Sequence, residues 1–138
     1  MYYLIYMSTA SRPMTYDDLS DLLNDARLHN KRSGITGMLL YQQDTFMQML
    51  EGEEDNVRSL YAKLLQDKRH KALHIVHEGH TDRRIFDDWS MGFVNMDKAG
   101  EYPEYEKYIE SQLVLDAFKD GEQDVYQLIR GFSQLSRK

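Results

Sequence analysis

The sequence predicts an α+β domain with the element order β-α-β-β-α-β-β: a five-stranded mixed sheet, two helices on one face and two more helices behind. Three observations carry this. Strand-length apolar runs rich in Tyr, Ile, Leu and Met alternate with two stripes of helical period. A capping signature, Thr15 with Asp18 three residues on, opens the first stripe. A short polar break joins two alternating runs as a hairpin.

The elements follow in order. Residues 2–8 form the first strand, which Ser11-Arg12-Pro13 breaks. From the Thr15 cap, Leu19, Leu22, Leu23 and Ala26 fall at i, i+3, i+4 and i+7, and the helix is expected to end near Asn30. Ser33-Gly34 restarts the chain. Residues 35–41 and 45–51 are two strands around the turn Gln42-Gln43-Asp44, and Gly52 stops the second. Asp55 or Asn56 caps the next helix, whose stripe is Val57, Leu60, Tyr61, Leu64 and Leu65. Asp67-Lys68-Arg69-His70 ends it. Residues 72–78 and 89–96 are the last strands, with a polar connection between them. Residues 105–118 and 122–135 read as helices divided by Asp120-Gly121. The first six elements have the ferredoxin-like order.

Side chains alternate along a strand. Phe46, Gln48 and Leu50 therefore share one face, and Met47 and Met49 the other. Tyr2, Leu4, Tyr6 and Ser8 oppose Tyr3, Ile5 and Met7. Both faces are apolar, so both need cover: two helices on one, the C-terminal helices or a partner subunit on the other.

Composition narrows the function classes. A chain of 138 residues fits one ordinary domain with a core of its own. It has no cysteine, which excludes thiolate metal sites and redox thiols. The net charge of −6 argues against a nucleic-acid binder. No apolar run reaches membrane-span length, and residues 1–7 lack the basic lead of a signal peptide, so the expected compartment is the cytoplasm. The 12% of aromatics and eight Met suit a core, and equally a pocket for a flat ligand.

Four groups of residues could carry chemistry. Gln48 sits between apolar neighbours on one strand face, and a buried amide must find partners. Backbone or a neighbouring hydroxyl would satisfy it. Tyr6 could also reach it if the first and third strands are neighbours. Ser8 lies on the same face as Tyr6. Arg27, His29 and Asn30 at the end of the first helix could converge with Lys63, Asp67 and Arg69 at the end of the second. Basic helix ends that complement the dipole explain the same residues without a ligand. His74, His77 and His80 tempt a metal reading, but His74 and His77 point to opposite faces of a strand, so no metal site is expected. Glu51, Glu53 and Glu54 read as a solvated acidic turn, and no phosphate-binding loop or nucleophile elbow is present.

Several stretches, in order, resemble the BLUF domains, blue-light sensors that use flavin. They are Leu4-Ile5-Tyr6-Met7-Ser8, Ala26-Arg27-Leu28-His29-Asn30 and Gly34-Ile35-Thr36-Gly37-Met38-Leu39-Leu40-Tyr41. They continue with Phe46-Met47-Gln48-Met49-Leu50-Glu51-Gly52, Asp67-Lys68-Arg69-His70 and Arg84-Ile85-Phe86-Asp87-Asp88-Trp89-Ser90-Met91. The resemblance implies flavin, usually FAD with FMN left open, held without a covalent bond between the two helices.

It also implies roles. Tyr6 resembles the electron and proton donor, and Gln48 the amide that relays the proton and reorganises its hydrogen bonds. Asn30 resembles the residue that bonds the ring's polar edge. Ser8, Trp89 and Met91 match positions lining the Gln, with the choice between Trp89 and Met91 open. Lys63, Asp67 and Arg69 resemble the polar end of the site, with Arg27 and His29 beside it. Leu22, Ile35 and Leu64 are expected to sandwich the ring. Lys63 stands where Arg is frequent, and His29 where Asn is frequent.

On this reading residues 1–98 form the sensor domain and 99–138 a helical extension of the same unit. The expected protein is a stand-alone, homo-oligomeric photoreceptor without catalytic output, signalling through the fifth strand to a separate protein or through its own assembly. The rival reading is a ferredoxin-like binding module or an acylphosphatase-like enzyme, with Arg27 or Arg69 holding an anion.

Overall fold

A computed structural model describes residues 1–86 and 91–95. Within them the order is β1 (Tyr2–Ala10), α1 (Tyr16–Ser33), β2 (Thr36–Gln42), β3 (Thr45–Gly52), α2 (Glu54–Leu64), β4 (His70–His80) and β5 (Gly92–Asn95). The sheet order is β4-β1-β3-β2-β5. The first four strands pair antiparallel, and β5 runs parallel to β2. The α+β class and the two helices agree with the sequence reading. The helices expected over 105–118 and 122–135, and Trp89, lie outside the described residues.

Local chemistry sets the helix starts and stops. Thr15 caps α1 by accepting from the Asp18 amide, and Asp18 accepts from the Thr15 amide, a complete capping box. The helix runs three residues past its expected end at Asn30, because Gly34 supplies the left-handed stop at φ 66°. The Gly34 and Ile35 amides both donate to the Asn30 carbonyl, the Ile35 bond being 3.0 Å long. The carbonyl of a candidate site residue is thereby fixed at the helix end.

α2 begins earlier than expected. Its cap is Glu53, which makes no side-chain cap bond, rather than Asp55 or Asn56. Asn56 instead donates to the Ser33 carbonyl at 3.2 Å, tying α2 to the end of α1. The β2–β3 turn has two residues, Gln43 and Asp44, both at positive φ, the primed geometry that matches strand twist. Gln42, expected in that turn, pairs with Thr45 in the ladder. Leu65, expected on the α2 stripe, follows the last helical turn and is exposed.

The core lies between the sheet and the two helices. Tyr2, Leu4, Tyr6, Leu39, Phe46 and Leu50 from the sheet meet Leu19 and Leu23 of α1 and Val57 of α2. The opposite face, with Tyr3, Ile5, Met38, Leu40, Met47 and Met49, is buried too. Gly37 explains how closely β2 approaches β3. A Cβ there would overlap the Met49 carbonyl oxygen and lie 3.0 Å from its carbon.

Candidate functional site

β1 and β3 are neighbours, with Tyr6 directly opposite Gln48. Side chains on one face of such a pair touch. The Tyr6 hydroxyl donates to Gln48 Oε1, and Gln48 Nε2 donates to Met91 Sδ at 3.3 Å. All three residues are buried. Burial, reinforced by Asp67 and Tyr61, holds the Tyr6 phenol well above its usual pKa. A buried phenol therefore donates to a buried amide, which donates in turn to a thioether.

Tyr6 and Gln48 from this chain of bonds form part of the floor of a cleft of about 200 Å³ between α1 and α2. Tyr6, Leu39, Phe46 and Gln48 line it from the sheet. Leu22 and Ala26 of α1 face Leu60 and Leu64 of α2 across it. The helical repeat places each pair on one face of its helix. His29, Asn30 and Lys63 add polar groups, and Asp25, Asp67 and Arg69 complete one end. Arg69 bridges Asp67 at 2.7 Å and Asp25 at 3.2 Å, so its charge is committed to carboxylates. Burial, then Lys63 and Arg32, lowers the His29 pKa, which favours its neutral form.

Most sequence-picked residues meet here: Tyr6, Gln48, Leu22, His29, Asn30, Lys63, Leu64, Asp67 and Arg69 line this one cleft. Two do not. Arg27 turns to the far side, where its Nε donates to the Met91 carbonyl at 3.0 Å. Ile35 is buried beside Gly52, beyond the end of α1. Ser8 is buried on the expected strand, but its hydroxyl pairs with His70 Nδ1 at 2.8 Å rather than with Gln48.

His70 is one of the cleft residues that the sequence does not single out, with Asp25, Ala26, Leu39, Phe46 and Leu60. It is the first residue of β4, not the tail of α2. Its Nε2 lies 2.9 Å from the Leu64 carbonyl, which can only accept. The proton therefore sits on Nε2, and Nδ1 accepts from Ser8. Its ring meets Tyr6 and Phe46 edge-on at centroid distances of 6.1 and 6.2 Å. The signal available in the sequence was its place at the head of a strand-length run.

Glu51 departs further from expectation. It is fully buried rather than solvated. Its oxygens accept from Thr36 Oγ1, the Ile85 amide and the Phe86 amide at 2.7–2.8 Å. His77 Nε2 pairs with Tyr3 at 2.7 Å, and His74 Nδ1 lies 3.2 Å from the Ala72 carbonyl. Among the described residues no group of three or more potential ligands could hold a metal ion. No helix among them is long and apolar enough to cross a membrane.

The cleft suits a flat ring system: apolar walls from two helices, and an amide and a phenol on its floor. Its polar groups are spread along it: Asn30 lies in the last turn of α1, where α2 begins, and Asp67 lies past the end of α2.

Comparison with known proteins agrees with that chemistry. The family model for BLUF, sensors of blue-light using FAD, matches residues 1–92. The photoactivated adenylate cyclase subunit beta of Euglena gracilis is 35% identical over 101 residues, covering 72% of this chain and 12% of that protein. The alpha subunit of the same organism is 43% identical over 83 residues, 60% of this chain and 8% of that one. This chain therefore spans only a small fraction of those relatives. Among solved structures, the dark state of the BLUF protein BlrB superposes with a TM-score of 0.70 at 26% identity, covering 96% of this chain and 94% of that one. A bacterial light-regulated adenylyl cyclase gives 0.69 at 28% identity, covering 96% of this chain and 34% of its own. The chain belongs to the BLUF family, the sensors of blue light that use flavin.

Proposed function

We propose that this chain senses blue light through flavin held non-covalently in the α1–α2 cleft, and reads it out with Tyr6 and Gln48. The buried run from Tyr6 through Gln48 to Met91 is the observation that carries the reading. Bound there, flavin would supply the blue-light absorption and an electron-accepting ring.

The chain's own side chains do the rest. Leu22 and Leu64 would sandwich the ring, and Asn30 would bond its polar edge. His29, Lys63, Asp67 and Arg69 would hold its polar end, with FAD the family's flavin and FMN the alternative. Tyr6, the proposed electron and proton donor, holds its proton on the bond to Gln48 Oε1. Gln48 is the proposed relay. Its amide can donate and accept, so turning or tautomerising it exchanges every partner it has. The thioether of Met91 only accepts, which favours the amide with Nε2 towards it. Ser8, tied to His70, and Trp89 would complete the surroundings of the relay.

Met91 directly precedes β5, so a change at Gln48 has a short path out of the site. We assign sensing to residues 1–98, and coupling to residues 99–138 acting on a separate signalling protein or on further copies of the chain. On this reading the domain has no catalytic output of its own and works in the cytoplasm as a homo-oligomer.

An absorbance spectrum of the purified chain before blue light, after it and during dark recovery tests the reading. The expected result is flavin absorbance with a reversible red shift, since a new hydrogen bond to the ring would stabilise its excited state. A chain that stays colourless after incubation with FAD and with FMN would overturn it and favour the binding-module or acylphosphatase-like alternative. Chromatography of the released cofactor distinguishes the two flavins.

A further inference from the structure

We propose that Glu51 is a positioning residue that sets where Met91 meets Gln48, and so biases the orientation of the Gln48 amide. The proposal rests on the reading of Gln48 as the light-responsive group. Glu51 ends the same strand as Gln48 and is fully buried. It is not among the residues lining the cleft; its effect runs through Thr36, whose neighbour Gly37 lies against the Met91 methyl.

Both oxygens of Glu51 accept. Oε1 takes the Phe86 amide at 2.7 Å and the Thr36 hydroxyl at 2.8 Å. Oε2 takes the Ile85 amide at 2.8 Å. Arg84 secures the same place from the other side. Its NH2 donates to the Gly34 carbonyl at 2.6 Å, and its NH1 donates to Thr36 Oγ1 at 3.0 Å and to the Glu51 carbonyl at 3.3 Å. Residues 84–86 are thereby fixed to the ends of α1, β2 and β3. Met91 follows five residues later, with its carbonyl held by Arg27 and its sulfur by Gln48. Glu51 thus fixes the start of β2, where Gly37 lies against the Met91 methyl, and Arg27 fixes the Met91 carbonyl. Moving either contact moves the acceptor that favours one amide orientation over its reverse.

Glu51→Gln tests this with almost no change of shape. A carboxylate offers two accepting oxygens, and an amide only one. The new NH2 must face a backbone or hydroxyl donor, so one of those bonds is lost. The full chain, with the flavin it carries as purified, is labelled at the methionine methyls and followed by NMR in the dark. Met91→Leu assigns the Met91 signal.

The expected result for Glu51→Gln is a displaced Met91 methyl signal and faster exchange of the Ile85 and Phe86 amides. Dark recovery should change about three- to tenfold, the kinetic equivalent of one ordinary hydrogen bond. In a Met91→Leu background, Glu51→Gln should leave recovery unchanged. If Glu51→Gln does not fold, Thr36→Val, which removes one donor to Oε1 and with it an acceptor of Arg84, serves the same comparison. Faster exchange at Ile85 and Phe86 with an unmoved Met91 methyl would overturn the proposal and leave Glu51 a purely structural anchor. A wild-type chain without a red shift would overturn the reading of Gln48 instead, while the methyl signal still decides the positioning.

Discussion

Removing the Tyr6–Gln48 bond from each side separately, and then from both, isolates the interaction on which the site depends. Gln48→Leu leaves the Tyr6 hydroxyl, at 2% exposure, with a proton and no acceptor. Tyr6→Phe leaves Gln48 Oε1 without its donor. Stranding a buried polar group costs about 1–3 kcal/mol. Each single variant should therefore lose about that much stability. The double variant strands neither group, and its two apolar side chains join Leu4, Leu39, Phe46 and Leu50 in the core. Its loss should be smaller than the sum of the single losses by about 1–3 kcal/mol. Urea unfolding of the flavin-stripped chains measures this without interference from cofactor affinity. Single losses that simply add would show that the two groups do not satisfy each other, and the reasoning would fail.

Other expected outcomes follow from neighbouring features. Gly37→Ala should destabilise the fold by at least about 1–3 kcal/mol, because its Cβ overlaps the Met49 backbone, which cannot swing aside; thermal unfolding measures the loss. His70 has a folded pKa lowered mainly by burial, which exceeds the raising effect of the Leu64 carbonyl. It contributes stability that is present above the unfolded histidine value of about 6.5 and lost as pH falls below it towards the folded value. Unfolding free energy should thus decline on acidification from pH ~7, with a shallower decline in His70→Gln, as urea titrations at several pH values would show.

The residues made some of this legible and concealed the rest for physical reasons. The start of α1 could be read from Thr15 and Asp18, because a capping box is local chemistry written within four residues. Its end is obscured because Asn30 resembles a stop, whereas the left-handed residue is Gly34. The sequence makes the hairpin turn look one residue too long, because Gln43 and Asp44 adopt positive φ without a glycine. Gln48 stood out as a polar residue within an apolar face, and strand adjacency then supplied Tyr6.

Glu51 was hidden by its company. Beside Glu53 and Glu54 it looks solvated, and its amide partners lie more than thirty residues away. Arg27 was hidden in the same way. Its place in the helix is local, but its acceptor is the carbonyl of Met91. Spacing within an element exposes the residues that share a face, while bonds closed by tertiary contact become visible only in the fold.

The central claim is that the Tyr6–Gln48 pair converts light into a change of hydrogen bonding. Its most direct test compares wild-type and Gln48→Leu chains, both carrying flavin, by absorbance in the dark, after blue light and during recovery. The account predicts a reversible red shift in wild type, and bound flavin without that shift in Gln48→Leu. An unaltered red shift in Gln48→Leu, or flavin-loaded wild type that does not respond to light, would contradict it.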